Sequence, residues 1–286
     1  MKDQHSTHLI QLAIATLFIS ASGALGKFID MPTPVVVWWR SILGAIFLLG
    51  FCVYKKFNLK IDSRQDALAI FSSGLLMGGH WLFYFYALKL SNVAIGMLSL
   101  FVFPIFTAFL EPLFIKVKFD PIYILLGIMV LIGMYILAPE FSLENTHFQG
   151  ILFGLLSALC YAVRNIISKK LTNNYNATSI MLYQTSILTV ILFPVLFFMD
   201  TSNIVSQYPY ILLLALVVTA LGHTLLVNSL KHFSVSTASI INSVQPIFGI
   251  IIAFIFLNEI PTANTYLGGS LILLTVVIES VRSRNK

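Results

Sequence analysis

Charge is what this sequence has least of. Asp, Glu, Lys and Arg make up 10% of its 286 residues, where a soluble domain carries about 25%. So few charges cannot cover a surface facing water. The net charge of +6 therefore does not point to a nucleic-acid partner. Cysteine is scarce too. Cys52 and Cys160 stand inside apolar runs, with no CxxC and no Cys/His spacing. They read as small buried hydrophobes and offer neither a disulfide framework nor a metal site. The chain also lacks HExxH, GxSxG, a phosphate-cradling glycine loop and a paired acidic motif. No catalytic residue, metal or cofactor is expected, and an intramembrane enzyme or a signalling scaffold finds no support.

Apolar residues are what it has in quantity: 58% of the chain, with a mean hydropathy of +0.92. A membrane helix needs about 20 mostly apolar residues. Ten such runs are predicted, at 9–29, 34–54, 67–89, 93–115, 121–138, 149–170, 178–199, 209–230, 236–257 and 264–282. The N-terminal stretch looks like a signal peptide, but its apolar run continues to Phe28, so it reads as a retained first helix. The expected class is an all-α integral membrane protein with a lipid bilayer as its partner, in a bacterial inner membrane.

Basic residues set the orientation. With the N-terminus inside, cytoplasmic segments hold Lys2, Lys55, Lys56, Lys60, Arg64, Lys116, Lys118, Lys169, Lys170, Lys231, Arg282, Arg284 and Lys286. The other side holds Lys27 and Lys89, with the acidic Glu140, Glu144, Asp200 and Glu259. Both termini are expected to be cytoplasmic.

The polar stretch 138–150 divides the chain into 1–139 and 140–286, with five spans each. Residues 87–114 align without gaps on 229–256, a shift of 142 residues. Leu88-Lys89 falls on Leu230-Lys231, and Pro104-Ile105-Phe106 falls on Pro246-Ile247-Phe248. One residue's slip brings His80 opposite His223. An odd number of spans per half inverts the second half against the first, the architecture of secondary transporters. Ten helices as two inverted five-helix repeats are therefore expected. Pro104 and Pro246, near the midpoints of spans four and nine, each free the carbonyl four residues earlier, at Leu100 and Asn242. In lipid such carbonyls must face protein or a cavity, so the prolines either shape a central cavity or gate, or simply kink the helices for packing.

Three segments carry a resemblance to a known family: "GILFGLLSALCYAVRNIISKKL", "PVVVWWRSILGAIFLL" and "QPIFGIIIAFIFLNEIPTANTYLGGSLIL". Through them the chain resembles the EamA branch of the drug/metabolite transporters over nearly its whole length. The resemblance implies a ten-helix inverted-repeat fold, a central cavity and transport of small metabolites, often amino acid efflux. The first half departs from it: Val117 stands where the second half has Glu259, and Glu111-Pro112 lies inside span four. Span one has no acidic residue, which argues against proton/cation antiport of the small multidrug type.

Ionisable and bulky polar groups inside spans are functional candidates. His80, Trp81, Tyr84, Tyr161, Asn165, Tyr183, Gln184, His223, Asn242 and Gln245 are predicted to line a substrate cavity. For the two histidines, interhelical hydrogen bonding is the structural alternative. Arg40, Pro104, Glu111, Arg164 and Pro246 are candidates for gating or ion pairing. Glu111 and Arg164 sit at similar depth and could pair, whereas Arg40, near the outer end of span two, packs against loops or snorkels outward. The expected function is a monomeric secondary transporter of a small polar or amphipathic metabolite, an amino acid or metabolite exporter. Uptake or exchange of a nucleoside-like cofactor such as S-adenosylmethionine is the alternative.

Overall fold

The structure is a computed structural model that describes residues 2–114, 120–137, 142–242 and 244–283. Lys116, Val117, Lys118, Glu140, Arg284 and Lys286 lie outside the described residues. Among the described residues all regular structure is helical. The elements are α1 (Lys2–Phe28), α2 (Thr33–Tyr54), α3 (Arg64–Leu90), α4 (Val93–Leu100), α5 (Phe103–Phe114), α6 (Ile122–Leu137), α7 (Thr146–Leu171), α8 (Ala177–Leu192), α9 (Val195–Phe198) and α10 (Ile204–Leu213). A π-helical segment, Leu214–His223, leads into α11 (Thr224–His232), followed by α12 (Val235–Asn242), α13 (Gln245–Leu257) and α14 (Ala263–Ser283).

Local sequence explains where these helices start. Side-chain oxygens of Ser63, Asn92, Asn145 and Asn176 accept hydrogen bonds from the first-turn amides of α3, α4, α7 and α8, the usual N-cap arrangement. A proline opens α2, where its missing N–H costs nothing. Seven helical stretches are long and apolar enough to cross a bilayer, and Ile122–Leu137 and Gln245–Leu257 are shorter apolar helices. Large apolar side chains such as Leu131, Phe198 and Phe256 face outward, as a lipid-facing surface requires. The chain is a multi-pass membrane protein.

The prolines do more than kink. The helix ends at Leu100 and restarts at Phe103, and it ends again at Asn242 and restarts at Gln245. After each break the same two bonds form. Ile105 and Phe106 both donate to the Val102 carbonyl, and Ile247 and Phe248 both donate to that of Val244. Two further interruptions were not expected from the sequence. Pro194 opens the short α9, and the run through 209–230 contains the π-helical turns.

Helices of the first half pack on helices of the second. α3 lies along α7, α2 along α8, α6 along α14, and α1 against both α13 and the π-helical segment. Small residues permit the close approaches: Gly150 and Gly154 of α7 rest on Ser91 and Ser99. The polar residues of the first half are therefore carried to the seam between halves, where the largest buried side chains, Trp81, Arg40, Arg164, Phe85, Phe101 and Phe103, also sit.

Candidate functional site

At that seam lies a cavity of about 10 Å³, lined by Ile19, Ser22, His80, Trp81, Tyr84, Leu100, Phe101, Tyr161, His223 and Gln245. This is room for about one water molecule. Six helical elements from both halves supply the wall, and the break between α4 and α5 lies against it. Of the residues predicted to bind substrate, His80, Trp81, Tyr84, Tyr161, His223 and Gln245 are brought together here. Ile19, Ser22 and Phe101 were not singled out; on α1 the inward face carries Thr16 and Ser20, both buried, whereas an isoleucine and a phenylalanine read as ordinary apolar packing.

Aromatic rings form most of the wall. His80 stacks on Tyr161 with centroids 4.3 Å apart, and Phe103 meets Tyr161 edge-on at 4.8 Å. Trp81 lies 5.6 Å from His223. The tautomer of His80 follows from its neighbour. Ser157 Oγ donates its one proton to the His80 carbonyl (2.9 Å) and lies 2.8 Å from His80 Nδ1. With that proton on the carbonyl, Nδ1 carries the hydrogen of the second bond. Both structural and cavity-lining roles predicted for His80 are thus combined in one side chain.

Two arginines are fully buried around this wall. Arg164 on α7 donates to Gln184 Oε1 through Nε (3.2 Å) and Nη2 (2.6 Å), and to Asn165 Oδ1 through Nη1 (2.9 Å). Nη2 also contacts Met181 Sδ at 2.9 Å. Gln184 in turn donates to Ser73 and Ser168. The sequence pairs Arg164 with Glu111; the hydrogen bonds its guanidinium makes among the described residues go to the neutral Gln184 and Asn165. Glu111 is buried on α5.

Arg40 on α2 does not snorkel. Its guanidinium carbon lies 3.7 Å above the Trp81 ring, and Nε and Nη2 both donate to Thr219 Oγ1 (3.1 and 2.8 Å). Thr219 spends its own proton on the Leu214 carbonyl, five residues back along the π-helical turn. Nη1 of Arg40 is buried without a hydrogen-bond partner, as are Trp81 Nε1 and His223 Nδ1. Depth counted along span two put Arg40 near its outer end; stacking on Trp81 holds it inside instead. Thr219 was missed, although it precedes His223 by four residues and shares its face.

The other candidates lie beside the cavity or away from it. Asn165 and Asn242 flank the Tyr161 hydroxyl. Asn242 Oδ1 accepts from Thr16 at 3.1 Å and also from Gln245. Tyr183 is elsewhere. Its hydroxyl donates to the Leu59 carbonyl, tying α8 to the loop after α2. Cys52 and Cys160 are free thiols.

Charged groups also fasten the helix ends. Lys27 Nζ donates to the carbonyls of Leu88 (2.9 Å), Lys89 (3.3 Å) and Ser91 (2.8 Å) at the end of α3. Lys169 Nζ donates to those of Leu230 and Phe233 at the end of α11. Glu259 Oε2 accepts from the Val93 amide at the start of α4, 2.8 Å away. A cation at a helix C-terminus and an anion at an N-terminus are each favoured by the peptide dipoles.

The description "EamA-like transporter family" matches residues 7–138 and again 148–281. The chain belongs to that family. It is a transporter family, not an enzyme family. Among relatives, the pseudopaline exporter CntI of Pseudomonas aeruginosa is 24% identical over 267 residues, covering 92% of each chain. The S-adenosylmethionine uptake transporter of Rickettsia conorii is 24% identical over 300 residues, covering 100% of this chain and 97% of its own. A protein of known crystal structure superposes with a TM-score of 0.73 at 15% identity over 98% of both chains, a likeness of fold.

Proposed function

We propose that this family member is a secondary transporter of a small polar or amphipathic metabolite, exporting an amino acid or related solute by alternating access. The observation that carries the reading is the cavity. Ring faces and unpartnered nitrogens from both halves of the chain meet around it. Because both halves belong to one chain, a monomer suffices.

The ten-helix inverted repeat, divided at 139/140, is part of this reading. It is supported by the two family matches, by helix at each of the ten apolar runs, and by contacts that recur after 142 residues. Lys27 on the Leu88 and Ser91 carbonyls is answered by Lys169 on those of Leu230 and Phe233. The paired bonds to Val102 and Val244 recur likewise. In this reading Pro104 and Pro246 allow the halves to rock, and the lysine clamps hold opposite ends of the path. A bacterial inner membrane with both termini inside is supported by the distribution of Lys and Arg.

Uptake of a nucleoside-like cofactor is a second reading, favoured by the full-length likeness to the Rickettsia transporter and by the stacked rings of the wall. Solute counterflow in proteoliposomes tests both. Saturable exchange of an amino acid and not of adenosine or S-adenosylmethionine supports the first; the reverse supports the second. Purified protein that moves no small solute of any class would refute transport.

A further inference from the structure

We infer that the transported solute carries a carboxylate, and that Arg40, Trp81 and His223 are the residues that bind it. This rests on the transporter reading and names the chemistry of the same cavity. Three independent features of the site lead to it.

The first is an uncompensated charge. Arg40 is 0% exposed, and its hydrogen bonds go to a threonine hydroxyl. Among the described residues no carboxylate contacts it. A guanidinium does not shed its proton to escape this situation. A buried cation is costly unless it is paired or its nitrogens are hydrogen-bonded, and a cavity that opens to solute can supply the missing partner.

The second is the position of the unused donors. Among the described residues Arg40 Nη1, Trp81 Nε1 and His223 Nδ1 have no hydrogen-bond partner, and all three residues are at least nine-tenths buried. They form one group: Arg40 stacks on Trp81, Trp81 meets His223, and Thr219 joins Arg40 to the helical turn that carries His223. Trp81 and His223 both line the cavity. Two or three N–H groups around one cation match the two oxygens of a carboxylate. In the neutral tautomer with hydrogen on Nδ1, His223 joins them as a donor.

The third is the contrast with Arg164, where each nitrogen of the guanidinium has an acceptor. Two cations share one seam, and among the described residues only Arg40 has a whole guanidinium nitrogen without an acceptor. The π-helical geometry sharpens this. Such turns are rare and gather at functional sites, and here they set Thr219 and His223 on one face toward Arg40 and Trp81.

The test is counterflow with full-length protein in proteoliposomes. The panel contains the L-amino acids, their amides, malate and succinate, glycerol 3-phosphate, and the neutral nucleosides adenosine and uridine. The expected result is exchange of at least one carboxylate, with its amide at least about 30-fold weaker, the loss of a charge-assisted pair. Trp81→Phe keeps the ring and removes one N–H, and should weaken half-saturation by about tenfold. Arg40→Lys keeps the charge and loses the planar fork, and should weaken it by a similar factor or more, about tenfold to 100-fold. If Arg40→Lys does not fold, Trp81→Phe decides.

Exchange of an amide or a nucleoside as readily as any acid would overturn the carboxylate while leaving transport standing. So would exchange of glycerol 3-phosphate alone, or unchanged half-saturation in Trp81→Phe. A folded protein that exchanges nothing on the panel would overturn this inference, and if it also fails to exchange S-adenosylmethionine it would overturn the transporter reading.

Discussion

Arg40 and Arg164 invite comparison because they share so much. Both are fully buried, both sit on helices that cross the seam between halves, and both take neutral partners. Around Arg164 the polar groups close on themselves. Gln184 accepts twice from the guanidinium and donates to Ser73 and Ser168, linking α7, α8 and α3. Around Arg40 they do not close: Thr219 accepts from two of the nitrogens and the third, Nη1, has no acceptor among the described residues, beside an unpartnered indole and imidazole nitrogen. A completed network rigidifies; an incomplete one leaves buried polar groups at a cost, which in the proposed reading a carboxylate solute offsets. Within a membrane, burial alone does not separate structural from functional charge. The satisfaction of each nitrogen does.

Substitutions can break this comparison, and the largest effect should come from Arg40→Gln. Half-maximal solute concentration should rise about 100-fold, with thermal stability in detergent nearly unchanged. Gln184→Leu should do the opposite. It strips Arg164 of its main acceptor, costing about 2–3 kcal/mol, read as a lower Tm, while half-saturation of the folded fraction changes less than about threefold. Equal losses of binding in the two variants would erase the distinction.

Smaller effects probe the repeat. Pro104→Ala with Pro246→Ala together should slow exchange more than either alone, with half-saturation preserved; unchanged turnover in the double variant would show that the breaks serve packing. Lys27→Met and Lys169→Met should each lower stability by about 1 kcal/mol, the loss of a helix-end clamp. Very unequal costs would argue against equivalent ends. Smallest of all, Tyr183→Phe should leave solute binding as it was, because its hydroxyl is spent on the Leu59 carbonyl.

The all-helical, multi-pass character was legible in the sequence because a bilayer imposes a length on every crossing helix. All ten apolar runs contain helix, although the first begins at Lys2, well before the expected 9. The breaks at Pro104 and Pro246 were legible from proline chemistry, but the π-helical turns at Leu214–His223 were not, since no residue type dictates them. The site was half legible. His80, Trp81, Tyr84, Tyr161, His223 and Gln245 stood out as costly residues to bury. Tyr183 was equally costly and faces a loop instead, because the rotation of a helix about its axis is set by its neighbours. Thr219 was invisible for the opposite reason: a threonine in a membrane helix needs no explanation until an arginine is found bonded to it.

The most direct measurement of the central claim, a cavity reached from each face in turn, is the accessibility of a cysteine placed in it. Ser22 lines the cavity and is 4% exposed, so Ser22→Cys, with Cys52 and Cys160 changed to serine, is a conservative reporter. A membrane-impermeant thiol reagent should modify it in both right-side-out and inside-out vesicles, more slowly when transported solute is saturating. Modification from one face only, at a rate that solute does not change, would contradict the account.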